Sequence, residues 1–529
     1  MQPQRNPGRR VAVALCLAAM LAILAVQAVW GLQLLDDGYY YLQIAWNIAR
    51  GAGSSFDGIH STNGYHPLWQ MTLVPLHWLA SRKIVAWMAV GLQALLFACG
   101  GLVLHRLALR SGASGLTALA ACAVWVINPW LWGKGAMSGM ETGLLLLLFG
   151  LALHRLLLTL RRGDAGWRLG WLLALAAAAR LDSAALALSC ALALAASGRK
   201  RTALEALAPT VCYLALYLPL NLLAFGGATP VSGYIKTAAG RQLLARLLND
   251  GDTALFGRAA GNLKELVTLG GRLPPALSAL AIAALTLLII RVHRRSGPSL
   301  RALMVAVLGY GGFLALFYSL MYSSLLGAYT YYWLPLLYGL VAVAFAAAGK
   351  LSRGHRRLLV GCALGLLAVF DVVYSADRLR SWSFTVPPEE RPDAAGVRYL
   401  NSLEGDVLVG SWDAGYVGYN CRHPVVNLDG LVAGYDYQRY LEENGVDRWI
   451  LREGITHLAN VDYYAGKRQM IERRLGWKLA FADSAAMARP MSLFSLSPRD
   501  LDYASRELRV FYVYAREGSN PVREGHAGL

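Results

Sequence analysis

Charge is what this sequence has least of, and acid is the scarcer sign. Of 529 residues 16% are charged, with 32 acidic against 50 basic side chains. A soluble globular chain carries closer to about 25% charged residues, so a wholly soluble protein is excluded. No CxxC and no paired Cys/His spacing occurs among the seven cysteines, which removes a zinc–thiolate site and a disulfide framework. Cys16, Cys99, Cys122, Cys190, Cys212 and Cys362 fall in apolar runs, and Cys421 lies in a polar region. There is no internal repeat of the kind secondary transporters carry. The net charge of +18 comes without a basic recognition helix or an aromatic–basic platform, so no nucleic acid partner is expected.

What is abundant is apolar sequence: 56% hydrophobic residues and a mean hydropathy of +0.41. Repeated runs of about 20 apolar residues define a polytopic α-helical membrane protein. The basic residues sit in short loops between runs, where they set orientation. Placing those clusters in the cytoplasm gives spans near 11–33, 84–104, 115–132, 143–160, 204–224, 275–291, 303–321, 331–348 and 357–375. Two shorter apolar legs flank "ARLDS". The total is about eleven spans, with the N-terminus in the cytoplasm and residues 36–83 outside. The first run is expected to be a retained span rather than a cleaved signal. "HPLWQMTLVPLHWLA" is short for a span and reads as a helix on the outer interface.

From about 376 the composition turns polar at "SWSFTVPPEERPDAAG". "DVLVGS", "PVVNLDG" and "ITHLANV" then read as short buried strands. The expected organisation is a membrane domain over 1–375 and a small external α/β domain over 376–529.

Most residues able to do chemistry fall on the outer face. Asp36 and Asp37 open an amphipathic helix in which Asp36, Tyr40, Gln43, Asn47 and Arg50 form a polar stripe. One Asp serves as a helix cap; two, set among aromatics at membrane depth, suggest a working carboxylate. "TNGYHP" supplies Asn63, Tyr65 and His66 in a turn into Pro67. Glu141 begins a span, where capping explains it about as well as catalysis does. Arg180 lies beside Asp182. The loop "GGATPVSGYIKTAAG" carries Tyr234 and Lys236, the latter suited to a phosphate contact as a point charge.

This series, "DDGYYYLQIAWNIARG…TNGYHPLW…SGMETG", resembles GT-C fold glycosyltransferases, multi-spanning enzymes that use polyprenyl-phosphate-linked sugars. Asp36 and Asp37 match the family's acidic pair after the first span. "HPLW" at His66–Trp69 is similar to the His-Pro-Pro of protein O-mannosyltransferases and the Glu-Lys-Pro-Pro of lipid A aminoarabinose transferases. Glu141 falls where such enzymes carry a further acidic residue. The resemblance covers about the first 240 residues. Two positions depart from it: Asp37 stands in place of Glu, and Tyr65-His66 in place of Glu-Lys.

The resemblance implies a GT-C-like hexosyl- or pentosyltransferase in a bacterial inner membrane. It would move sugar from a polyprenyl-phosphate carrier to a glycan, lipid or protein acceptor on the periplasmic face, with inversion. Asp36, Asp37, His66 and Glu141 are the expected catalytic residues, with Asp36 as base. Tyr40, Asn63, Tyr65, Arg180, Tyr234 and Lys236 are the expected substrate contacts. The cofactor stays unknown, since a divalent metal is possible but not indicated. A glycan polymerase or ligase using a diphosphate-linked donor, and a glycolipid flippase, are the alternatives. A flippase should bury its ionisable residues at mid-membrane, whereas here they cluster at one interface.

Overall fold

The computed structural model describes residues 7–32, 34–267, 293–294, 296–322, 330–348, 354, 392–461, 470–487 and 507–516. The membrane part runs α1 (Pro7–Trp30), α2 (Asp36–Ala49), α3 (Pro67–Leu73), α4 (Leu76–Leu79), α5 (Arg82–Arg110), α6 (Gly115–Val126), α7 (Pro129–Leu131), α8 (Thr142–Arg162), α9 (Trp167–Ala179), α10 (Ala184–Ala196) and α11 (Lys200–Phe225). It continues with α12 (Val231–Lys236), α13 (Ala238–Asp250), α14 (Ala254–Val267), α15 (Pro298–Met321) and α16 (Leu334–Ala348).

Among the described residues six helices are long and apolar enough to cross a membrane: 8–29, 82–110, 142–162, 200–225, 298–321 and 331–348. Each coincides with an expected span. The expected spans 275–291 and 357–375 lie outside the described residues, as does the expected domain boundary at 375/376. The run 115–132 differs from expectation. It breaks into α6 and a second segment, Pro129–Ala136, bent by 51°. Asn128 causes the break, because its side chain accepts from the backbone N–H groups of Trp130 and Leu131 and starts a new helix at Pro129.

"HPLWQMTLVPLHWLA" forms α3 and α4, of 7 and 4 residues. Neither can cross a hydrocarbon core of about 30 Å at 1.5 Å per residue. Met71, Trp78 and Leu79 stay exposed on this pair. The two legs around "ARLDS" are α9 and α10, of 13 residues each, or about 20 Å. Together they make a helical hairpin with Arg180 at its tip.

Helix packing in lipid gains little from the hydrophobic effect, so close fit carries it. Gly150 of α8 shows this. A Cβ there would lie 2.2 Å from the Tyr338 hydroxyl, which crosses to donate to the Gly100 carbonyl of α5 at 2.8 Å. Trp125, Phe97, Phe149 and Tyr338 are fully buried around this point. Outside, Leu204, Leu216, Leu220 and Leu223 leave α11 apolar and exposed, as a lipid-facing helix requires.

The C-terminal part holds a five-stranded sheet in the order β2-β1-β3-β5-β4, with β1 (Val409–Ser411), β2 (Val425–Asn427), β3 (His457–Val461), β4 (Lys478–Met487) and β5 (Glu507–Ala515). β1 is parallel to β2 and β3, and β5 is antiparallel to β3 and β4. The three expected strands are β1, β2 and β3. The antiparallel pair β4/β5 was not expected. Helices α17 (Pro392–Ser402), α18 (Gly415–Asn420), α19 (Tyr435–Asn444) and α20 (Val446–Arg452) surround the sheet. α18 packs directly on α2, with Gly415 against Asp36, and its Gly418 meets Phe56 of the loop after α2.

Candidate functional site

A cluster of arginines and the cavity lie at opposite ends of the same helices. Arg110, Arg161 and Arg199 gather where α5 and α8 end and α11 begins, with Arg161 bonding the Arg110 carbonyl and Arg199 the Thr159 and Leu160 carbonyls. At the other end a cavity of about 550 Å³ opens between α2, α3, the α9/α10 tip, α12, α15 and the C-terminal domain.

Eight of the expected site residues line it: Asp37, Tyr40, Tyr65, His66, Glu141, Arg180, Tyr234 and Lys236. Asp36 and Asn63 do not. The cavity also takes Asp182, Arg241, Tyr318, Tyr322 and Tyr332, and a greasy run of Phe313, Phe317 and Met321 along α15. That run recurs every four residues, a helical stripe legible in the sequence that was not singled out. Tyr332 belongs to the aromatic run "YTYYW" that leads into α16.

The first turn of α2 is seated by the loop before α8. Leu35 N–H donates to the Ser138 carbonyl at 3.1 Å, and Gly38 sits so close to that carbonyl that a Cβ would lie 2.4 Å from it. This contact brings Glu141 to the α2 face. Glu141 is fully buried. Its Oε2 accepts from the Tyr41 hydroxyl at 2.9 Å, while Oε1 has no hydrogen-bond partner. Oε1 lies 4.0 Å from His66 Nε2 and 3.9 Å from Arg180 Nε.

Arg180 is 2% exposed. One Nη donates to Asp182 at 2.6 Å and to the Tyr318 hydroxyl at 3.2 Å. Its guanidinium carbon stands 4.1 Å above the Tyr332 ring. Nε and the other Nη have no hydrogen-bond partner. A buried guanidinium with idle donors is costly unless an anion meets it. Lys236 Nζ lies 3.5 Å from Asp37 Oδ2. Burial works against its charge, but Tyr331, Tyr332 and Asp37 outweigh burial and hold the ammonium well above the usual lysine range. Burial pushes His66 down, with Arg180 and Lys236 adding to the effect against Glu141, so its imidazole is neutral near pH 7.

The acidic pair divides. Asp37 faces the cavity. Asp36 turns to the C-terminal domain, where Oδ2 accepts from Gly415 N–H and Oδ1 from Tyr416 N–H, both at 3.0 Å. Carboxylate oxygens of Asp36, Asp413 and Asp429 lie within 4.8 Å of one another. Burial, then the neighbouring charge of Asp413, pushes the Asp36 carboxyl up to about 7. This is the one acidic group among the described residues that could present three oxygens to a cation. Oxygens of Asp36 and Asp429 already accept from backbone N–H groups of Gly415, Tyr416 and Leu431 and from Tyr40, which accounts for the group as a joint between α2 and the C-terminal sheet region.

Asn63 is a brace. It donates to Asn221 Oδ1 and the Thr229 carbonyl and accepts from Val231 N–H, all at 3.0 Å, pinning the loop before α12 to the end of α11. Tyr65 bonds Ser54 at 2.7 Å, and the Tyr234 ring carries the Arg241 guanidinium at 3.4 Å. Trp412, Asp413 and Asp429 of the C-terminal part do not line the cavity.

No family model and no curated protein matches the sequence. Among solved structures, ArnT from Cupriavidus metallidurans in the apo state is similar over 95% of this chain and 97% of that one, with 16% identity and a TM-score of 0.48. The oligosaccharyltransferase AglB from Archaeoglobus fulgidus, in complex with an inhibitory peptide and a dolichol-phosphate, is similar over 85% of this chain and 69% of that one, at 14% identity and a TM-score of 0.43. The Archaeoglobus fulgidus oligosaccharyltransferase in complex with Zn and sulfate gives a TM-score of 0.45 at 14% identity. Likeness at this level assigns neither a fold family nor an activity to this chain.

Proposed function

We propose that this chain is a membrane glycosyltransferase that moves a sugar from a polyprenyl-phosphate carrier to a glycan, lipid or protein acceptor at the outer, periplasmic face. One observation carries the reading. A single cavity holds the Asp37 carboxylate, the buried cation pair Arg180 and Lys236, and an apolar wall of Phe313, Phe317 and Met321.

The chemistry follows from the charges. The acceptor oxygen forms a bond to the anomeric carbon as the bond from that carbon to the phosphate oxygen breaks. The hydroxyl proton passes to Asp37 as general base. The electron pair leaves on the phosphate, where the idle Arg180 donors and Lys236 meet the growing charge. Glu141, held by Tyr41, keeps the Arg180 side of the cavity charge-balanced. Asp37 is assigned as base in place of Asp36 because Asp36 is committed to Gly415 and Tyr416. Of the three carboxylates lining the cavity, Glu141 is held by Tyr41 and Asp182 by Arg180, so Asp37 alone is assigned to the acceptor, and a single displacement inverts the centre.

The test is transfer of a labelled sugar from a polyprenyl phosphate by the full chain in reconstituted membranes. Wild-type turnover that vanishes in Asp37→Asn supports the reading. No transfer from any polyprenyl-phosphate sugar to any acceptor class, by correctly inserted protein, overturns it.

A further inference from the structure

Two adjacent carboxylates on a helix point about 100° apart, so the rotation of α2 decides which of them enters the cavity. Asp36 fixes that rotation at the first turn through Gly415 and Tyr416. Tyr40, one turn on, fixes it again. Tyr40 lines the cavity, and its hydroxyl donates to Asp429 Oδ2 at 2.8 Å and accepts from Asn427 Nδ2 at 3.0 Å and Ala414 N–H at 3.2 Å. A phenol has one donor and two acceptor positions, and all three are used. These three partners come from the C-terminal domain, more than 370 residues away in sequence, and Asp36, one turn back on α2, is a further neighbour of the hydroxyl.

Asp429 serves a second wall as well. Its Oδ1 accepts from Leu431 N–H at 2.9 Å, and Leu431 lines the cavity. A packing interface alone needs no carboxyl, which is costly to desolvate; Asp429 is half-buried there, and the desolvation pushes its carboxyl up.

We infer that the C-terminal domain holds the reacting carboxylate in register through Tyr40, with Asp429 and Asn427 as positioning residues for the transfer reaction. This rests on the function proposed above. The domain then sets turnover by holding Tyr40, and among the described residues Leu431 is the one it gives to the cavity wall.

The experiment is a double-mutant cycle on the full chain in membranes, with Tyr40→Phe, Asp429→Ala and the pair. Each single variant should lower kcat about tenfold and leave the donor KM within about twofold. The pair should be no worse than the worse single. Asp429→Asn, whose amide oxygen still accepts from Tyr40, should recover to within about threefold of wild type. Losses that multiply to about 100-fold, a wild-type kcat in Asp429→Ala, or losses that merely track the fraction of folded protein overturn the inference. Should the wild type transfer no sugar, the functional reading fails by itself, and a readout free of turnover decides the positioning. In an Asp37→Cys background, adding Asp429→Ala should change the thiol labelling rate at least about fivefold, and an unchanged rate overturns it.

Discussion

Lys236 Nζ stands 3.5 Å from Asp37 Oδ2, an ion pair that ties α12 to the first turn of α2 across the cavity mouth. It sets a partly exposed carboxylate against a nearly buried ammonium, and both line the same space. Under the function proposed above, an anionic donor entering there would compete with Asp37 for Lys236 and release the carboxylate for proton transfer.

Asp37→Asn should insert and accumulate normally, because the amide is nearly isosteric and leaves α2 intact. It should lower transfer by about 100- to 10,000-fold, the usual cost of losing a general base. Rate measurements at matched membrane protein levels check this, and wild-type turnover would return Asp37 to the role of a simple counter-ion.

Arg180→Lys keeps a charge but loses the planar fork that serves Asp182, Tyr318 and the cavity together. Transfer should fall about 100-fold, as on loss of one donor to a developing anion, with abundance retained. Arg180→Ala should in addition reduce folded protein, because it leaves the half-buried Asp182 without its cation, held by the Tyr318 hydroxyl. Comparing kcat with detergent-extracted, monodisperse yield separates the two effects.

Asp36→Asn should leave more activity than Asp37→Asn and change how the domains dock. With its carboxyl raised to about 7, Asp36 binds a proton in the folded protein that it gives up in the unfolded chain above its ordinary value of 3.8. The folded state therefore holds more protons between pH 4 and 7, and stability falls as pH rises through that window. Asp413, Asp429 and Tyr40 face the same point; the raised Asp429 carboxyl acts in the same direction. Thermal unfolding in detergent from pH 4 to 8 should slope downward for wild type and less steeply for Asp36→Asn. A slope unchanged by the substitution would remove Asp36 as its source.

A cysteine at the exposed Ser81, between α4 and α5, should react with an impermeant thiol reagent only from the outer side. The shortness of α3 and α4 and the basic end of α5 at Arg106 and Arg110 motivate this. Labelling from the cytoplasmic side alone would require the topology to be redrawn.

The sequence by itself determined the long helices and their basic ends, because hydropathy and Lys/Arg placement are summed over tens of residues and need no partner. It also marked out Asp37, Glu141, Arg180 and Lys236, since chemically active side chains beside apolar runs are rare enough to notice. It showed β1 to β3, whose buried runs are continuous, and missed β4 and β5. Only the tertiary structure decided that Asp36 and Asp37 part company, because which of two adjacent side chains enters a cavity depends on helix rotation. That rotation is set by Gly415, Tyr416, Asn427 and Asp429, nearly 400 residues further along. The same holds for Asn63, which local sequence marks as a turn residue and long-range contacts make a brace for the loop before α12. Patterns of period 3.6 or 2 record what one element needs, whereas a site between elements depends on contacts that no local pattern encodes.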